Sequence, residues 1–454
     1  MKPYARFSNE SFSNTSAKTP LTLTRRQLMQ MLGIAGAGAA GTGLLAACSG
    51  GSGSEAASTT TAKPQQPAAG KARTSDALKT AGRILVMVEL QGGNDGFATL
   101  VPYTDSRFRK MRERIWVDPK DLAIVDEKYA IAKGLAPIKD RLAFVEGVGV
   151  SKPDGSHFAM SDRWWHGDPD GRGDLQTGFL GRCCDALKGD EPITGLSLGG
   201  GSSPAMVTAR AITASLPQLD MVRELAKDEP SEQRLRAAMD AMANAKSQQK
   251  KSASNGDSSL ERERLTTIAR SNLGSGLELL GTLNKLGERP KSYPENNSLA
   301  DSLALSSQLL NLDVGVRVIH VPWGSFDTHT GEVGTHSDQM RQVGEALDAF
   351  HKDLERLGLS DRVLVATTSE FGRRPESNGS GTDHGAASTM LLSGAVKPGR
   401  HGIAPSFSRL DSDGNVKSTV SMSDYYATLA TWLGVPPEEV VAKSATPISG
   451  LLSV

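Results

Sequence analysis

The run Arg83-Ile84-Leu85-Val86-Met87-Val88-Glu89-Leu90 is apolar at successive rather than alternate positions, and it breaks abruptly at Gln91-Gly92-Gly93-Asn94-Asp95-Gly96. A strand with one wet face alternates; a continuous apolar run rich in β-branched residues needs cover on both faces, as in the centre of a parallel sheet. Leu142–Val148, Val314–Val321, Val363–Thr368 and Thr389–Leu392 read as further strands. Between two of them, Val343, Leu347, Phe350, Leu354 and Leu357 recur at helical spacing within Val333–Leu357. Strand, helix and strand in this rhythm predict a doubly wound α/β sheet. Residues 205–312 read instead as helical excursions from that sheet, with amphipathic patterning around Leu219–Ala245 and Leu260–Leu286.

The amino-terminal eighty residues belong to a different class. Lys2, Arg6, Lys18, Arg25 and Arg26 face a single acid, Glu10, and the uncharged, Gly/Ala-rich stretch Leu28–Ala47 follows. A basic segment, an apolar segment and small residues read as an export signal over residues 1–47. Within it, Thr24-Arg25-Arg26-Gln27-Leu28-Met29 resembles the twin-arginine motif, and Leu45-Ala46-Ala47-Cys48 resembles a lipobox. The plain alternative is a buried Gly/Ala helix. The export reading implies a chain carried folded by the twin-arginine translocase, acylated at Cys48 and held at the membrane in the periplasm or cell envelope. Residues 48–80, mostly Gly, Ser, Thr, Ala, Pro and Gln in their first part, form a tether that has no core to bury. The globular body is then 81–454.

Charge bears on partners. The whole chain has 51 basic and 51 acidic residues; without residues 1–47 five bases and one acid go, leaving 46 against 50. A mildly acidic body is not a nucleic-acid binder that works through a positive field. Three cysteines exclude a disulfide framework, and the adjacent Cys183 and Cys184 read as small buried thiols in preference to a strained vicinal disulfide.

The chemistry-bearing residues fall at strand ends, where open α/β sheets place ligands. Asp327 and His329 follow the strand Val314–Val321, with His336 further on; they can hold one cation from an extended loop, or cap a turn and be solvated. Glu370 follows Val363–Thr368, and Arg373 and Arg374 are placed to clamp an anionic oxygen, unless Glu370 and Arg373 merely pair. Asp383 and His384 lie in a glycine-rich loop that also suits a simple Asx turn. Ser156 precedes a helical stretch, Ala159–His166, and is either a nucleophile or an N-cap. Taken together with Asp95, these carboxylates and imidazoles suit a divalent ion.

The segments Leu90–Gly96, Ser156-His157-Phe158, Thr177–Arg182, Phe326–His329, Ser369–Arg373 and Asp383-His384-Gly385 resemble an exported bacterial family known as domain of unknown function 1501, grouped with the alkaline phosphatase superfamily. The resemblance runs from about residue 83 to 450. It implies a three-layer α/β/α sandwich with a mostly parallel sheet. It also implies Asp95, Asp327, His329, Glu370, Asp383 and His384 as metal ligands, Ser156 as the attacking hydroxyl, and Arg373 on the developing charge. The chain departs from the superfamily where Glu370-Phe371 stands in place of Asp-His, and where Thr328 alone separates Asp327 from His329. One imidazole ligand is thereby missing or replaced, so one ion, Zn, Mn or Ca, is as compatible as two zincs. The implied activity is metal-dependent hydrolysis of phosphate or sulfate esters. The alternative is an envelope protein that binds metal or ligand without turnover.

Overall fold

The computed structural model describes residues 82–189, 193–199, 202–216 and 285–453, together with Gln233 and Leu283. Residues 1–80, expected to be an export signal, Cys48 and a tether, and the two helical patterns expected around Leu219–Ala245 and Leu260–Leu286 lie outside the described residues, Gln233, Leu283, Lys285 and Leu286 apart. Among the described residues no helix is long and apolar enough to cross a membrane.

The opening run forms β1 (Ile84–Leu90), all seven residues buried. A small sheet follows from β2 (Leu100–Val101), β3 (Leu122–Ile124) and β4 (Ala130–Ala132), in the order β2-β4-β3. The remaining strands are β5 (Leu142–Gly149), β6 (Gly195–Leu198), β7 (Thr213–Leu216), β8 (Val318–Trp323), β9 (Val363–Thr368), β10 (Gly372–Ser377), β11 (Thr382–Gly385), β12 (Ala387–Gly394), β13 (Gly399–Gly402) and β14 (Val420–Ser421). Nine strands make the main sheet in the order β13-β5-β12-β9-β1-β8-β6-β7, with β14 beside β5. Every pairing is parallel except those of β12, which runs antiparallel to both β5 and β9.

Alternate residues of β1 enter two different cores. Ile84, Val86, Val88 and Leu90 pack on one face; Leu85 and Met87 pack on the other. The first core is closed by α5 (Ser298–Asn311) and α6 (Glu332–Arg356), the second by α3 (His157–His166), α4 (Phe179–Leu187) and α7 (Met422–Leu433). Two short helices, α1 (Gly96–Thr99) and α2 (Ser106–Met111), lead from β1 into the small sheet's region. This is the three-layer α/β/α sandwich, and the double cover explains why β1 lacks alternation.

Three details bear on the sequence reading. β7 lies inside the stretch 205–312 assigned to helices; its four residues, Thr-Ala-Ser-Leu, carry too little apolar pattern to announce a strand. The strand expected at Val314 begins at Val318, because Asp313 and Gly315 adopt positive φ and turn the chain after α5. Cys183 and Cys184 are free and buried on α4, as expected.

Candidate metal centre

β1, β8 and β9 run parallel and side by side, so Gln91, Gly324 and Ser369 leave the sheet at one edge. Gly92 has φ +105, and a Cβ there would stand 2.6 Å from the backbone nitrogens of both Phe326 and Asp327. Only a glycine lets these two loops touch. Asp383 and His384 reach the same edge by another route. They sit in β11, which pairs with β10 as a hairpin beyond the sheet and precedes the antiparallel β12. They thus come before a main-sheet strand, not after one.

Three imidazoles gather around Asp327. His384 Nε2 and His329 Nε2 each lie 3.1 Å from Asp327 Oδ1 and 2.9 Å from each other. His157 Nε2 lies 3.4 Å from Asp327 Oδ2. The ligand atoms of His157, Asp327 and His384 all fall within 4.8 Å of one another. Each ring is held from behind at Nδ1: His157 by Glu370 Oε1 at 2.9 Å, His384 by the Gly155 carbonyl at 2.7 Å, and His329 by Asp383 Oδ1 at 3.4 Å. Carbonyl and carboxylate oxygens accept, so the rear contacts favour protons at Nδ1, while each Nε2 faces the Asp327 carboxylate, where the bond it makes depends on its own protonation. Two ring nitrogens 2.9 Å apart are reconciled either by a proton on one of them or by a cation between them.

Ligands bound at about 2.0–2.1 Å in a tetrahedron stand about 3.3 Å apart, close to the 3.1 Å and 3.4 Å that separate His384 and His157 from Asp327; His329 adjoins Asp327 and His384 of this set. Support of each ring at its far nitrogen is the habit of metal-ligating histidines. The donor set therefore fits a divalent ion. Burial works to raise the Asp327 carboxyl, yet bonds from Arg373 and His384 hold it down to about 2, so it is anionic. Burial depresses His384, keeping its imidazole neutral and free to ligate.

The expected residues divide. Asp327, His329 and His384 converge. Glu370 and Asp383 do not face the ion position. Glu370, 6% exposed, accepts from His157 Nδ1 and from Gly92 N at 2.8 Å, and Asp383 is held by Asn378 Nδ2 at 2.7 Å. Both orient imidazoles.

Asp95 lies elsewhere altogether. It caps α1 through Phe97 N and Ala98 N and pairs with Arg112, which also reaches Glu332. Burial would raise its carboxyl, but the Arg112 guanidinium holds it below the usual range. Burial and the Asp95 charge push Glu332 upward.

Arg373, the expected anion clamp, is fully buried. It donates to the carbonyls of Gly92, Gly93, Phe326 and Thr382 and, at 2.7 Å, to Asp327 Oδ1. It ties the loops together and aims Asp327. Ser156 caps α3, its hydroxyl accepting from Ala159 N at 3.4 Å.

His157 enters the reading of the sequence only within the segment Ser156-His157-Phe158 and with no ligand role, yet it places a third imidazole beside Asp327. The available signal was its place beside a capping serine, which aims the first turn of a helix at the sheet edge.

An α/β/α sandwich with a histidine–aspartate cluster at the carboxyl edge of its sheet defines the class of protein. The chain belongs to the family described as "Protein of unknown function (DUF1501)", which matches residues 144–448. No curated protein matches it. Among solved structures it is similar to the lipoteichoic acid synthase LtaP from Listeria monocytogenes, at 9% identity and TM-score 0.36, over 82% of this chain and 77% of that one. It is similar to an alkaline phosphatase PafA mutant, at 9% identity and TM-score 0.43, over 82% and 99%. It is also similar to the PsFucS1 sulfatase from Pseudoalteromonas sp., at 12% identity and TM-score 0.34, over 80% and 70%.

Proposed function

We propose that this protein holds one divalent ion on His157, Asp327 and His384, with His329 beside them, and hydrolyses phosphate or sulfate esters outside the cytoplasm. The mutual approach of His157, Asp327 and His384, with the His329 Nε2 also 3.1 Å from the anionic Asp327 carboxylate, carries the reading. A donor set of imidazole nitrogens with one carboxylate oxygen suits Zn²⁺ better than Ca²⁺, which takes oxygen ligands. Such an ion supplies Lewis acidity toward an ester oxygen and toward water. The chain's own groups do the positioning: Glu370, Asp383 and the Gly155 carbonyl hold the rings, and Arg373 holds Asp327. Asp327 and His329 are 42% and 41% exposed, which leaves a face open to substrate. Water is favoured over Ser156 as nucleophile, because the Ser156 hydroxyl caps α3.

One observation favours a second reading, binding without turnover: the guanidinium beside Asp327 is committed to four carbonyls and has little left for an anionic group. Metal analysis of the purified chain, followed by assays on aryl phosphate and aryl sulfate esters, separates the two. Stoichiometric zinc lost in Asp327→Ala, with turnover that survives Ser156→Ala and disappears in His157→Ala, supports the hydrolase. Zinc without turnover supports the binder, and a folded metal-free protein defeats both.

Export by the twin-arginine route and acylation at Cys48 belong to the same proposal, supported by Thr24–Met29 and Leu45–Cys48. Loss of membrane association in Cys48→Ala is the expected result on cell fractionation.

A further inference from the structure

Away from the metal centre a cleft of about 930 Å³ opens between the small sheet and the first turns of α6. Its walls include Phe97, Val101, Ile115, Trp116, Leu122 and Val333. Val333 is 42% exposed on α6, and solvated helix positions ordinarily carry polar side chains. A concave, mainly apolar space of this size with a few polar groups at its base is the usual form of a small-molecule site.

The charges of the cleft indicate what it would accept. At the base, Arg112 is spent on Asp95, Glu332 and the carbonyls of Pro375 and Arg374. The second acid, Glu332, is bonded by Thr382 Oγ1 at 2.6 Å, and burial favours its neutral form. His336, also at the base, is driven down to about 4 by burial and is uncharged at neutral pH. At the rim, Arg341 takes both Asp338, at 2.5 Å, and Glu345, at 2.8 Å. Asp118, Asp121 and Lys133 remain at the mouth, two acids to one base. An anionic head buried at the base would meet no spare cation, and its desolvation would go uncompensated.

We propose that this cleft is a second binding site, for an uncharged, largely apolar small molecule. It is separate from the metal centre and does not depend on the function proposed for it. The site selects on shape and apolar area, and it discriminates against anions because its only deep guanidinium is already neutralised.

Two probes sharing one fluorophore test this in the full-length chain. N-phenyl-1-naphthylamine is neutral; 8-anilino-1-naphthalenesulfonate adds a fixed negative charge. The neutral probe is expected to bind saturably at one site, at least tenfold more tightly than the sulfonate. Val333→Asp should weaken that binding at least tenfold, and the milder Val333→Ser should weaken it severalfold if the aspartate variant proves unstable. Asp327→Ala, at the metal centre, should leave it unchanged. Absence of saturable binding of the neutral probe, equal affinity for the two probes, or indifference to both Val333 substitutions would each overturn the proposal.

Discussion

Arg373 is the residue for which local sequence and tertiary structure give opposite roles, so its replacement is the sharpest test. In Arg373→Met, the carbonyls of Gly92, Gly93, Phe326 and Thr382 lose a donor together; Gly92 is only partly buried and Phe326 O keeps the Thr328 N–H, so the loss falls on Gly93 and Thr382. Asp327 also loses one but is 42% exposed and regains water. A buried acceptor stripped of its partner costs about 1–3 kcal/mol, so these two carbonyls together cost roughly 4 kcal/mol. Lysine retains at most three of the five contacts, so Arg373→Lys should cost about 2 kcal/mol. Against a total stability of about 5–15 kcal/mol these are large effects, and at about 2–4 °C per kcal/mol the methionine variant should melt some 8–16 °C lower. Urea unfolding followed by far-ultraviolet circular dichroism, with zinc and with chelator, reads both changes. Zinc affinity should fall alongside stability, because the loop bearing Asp327 loses its anchor. Both variants unfolding like the wild type while losing turnover alone would return Arg373 to the role of anion clamp and refute the structural one.

Glu370→Gln keeps the shape behind His157 but removes the charge, and zinc affinity should drop about 10–100-fold in a competition titration with a chelator. An unchanged affinity would mean that Glu370 does not orient that ring. Gly92→Ala should weaken zinc binding and stability together, since its Cβ meets the backbone of Phe326 and Asp327 at 2.6 Å; a variant that crystallises with this loop unmoved would contradict the packing. The buried acid cluster predicts a pH dependence. Glu332 is raised, so the folded chain keeps a proton that the unfolded chain loses above about pH 4.3, and its contribution to stability declines as pH rises toward the raised value. Glu332→Gln should therefore lose less stability than the wild type between about pH 5 and pH 8, and parallel urea midpoints over that interval would count against the assignment.

How much of this was legible in the sequence depended on range. The cover on both faces of β1 was visible at once, because a strand that is apolar at every position can be satisfied only by burial on both sides. The spacing from Val343 to Leu357 likewise marked α6 within one residue at each end. Periodicity is a local property, and the hydrophobic effect acts on it wherever the segment finally lies. The placing of Asp327, His329 and Glu370 at one edge was also legible, as the parallel strands β8 and β9 must deliver their ends to the same side. What was not legible was the direction in which each side chain faces. Glu370 at a strand end has the same sequence appearance whether it meets an ion or the Nδ1 of His157, and Arg373 looks the same whether it reaches a substrate or four carbonyls. Asp95 was drawn into a separate buried network by Arg112, seventeen positions along the chain, and no spacing rule marks that pairing. The antiparallel course of β12, which brings Asp383 and His384 to the site from the other direction, is set by the hairpin of β10 and β11 and its packing. Composition and period determined the layers of this protein. Which atoms of those layers point at one another was decided only by tertiary packing, because polar contacts between distant segments are short-ranged and directional and leave no repeat in the sequence.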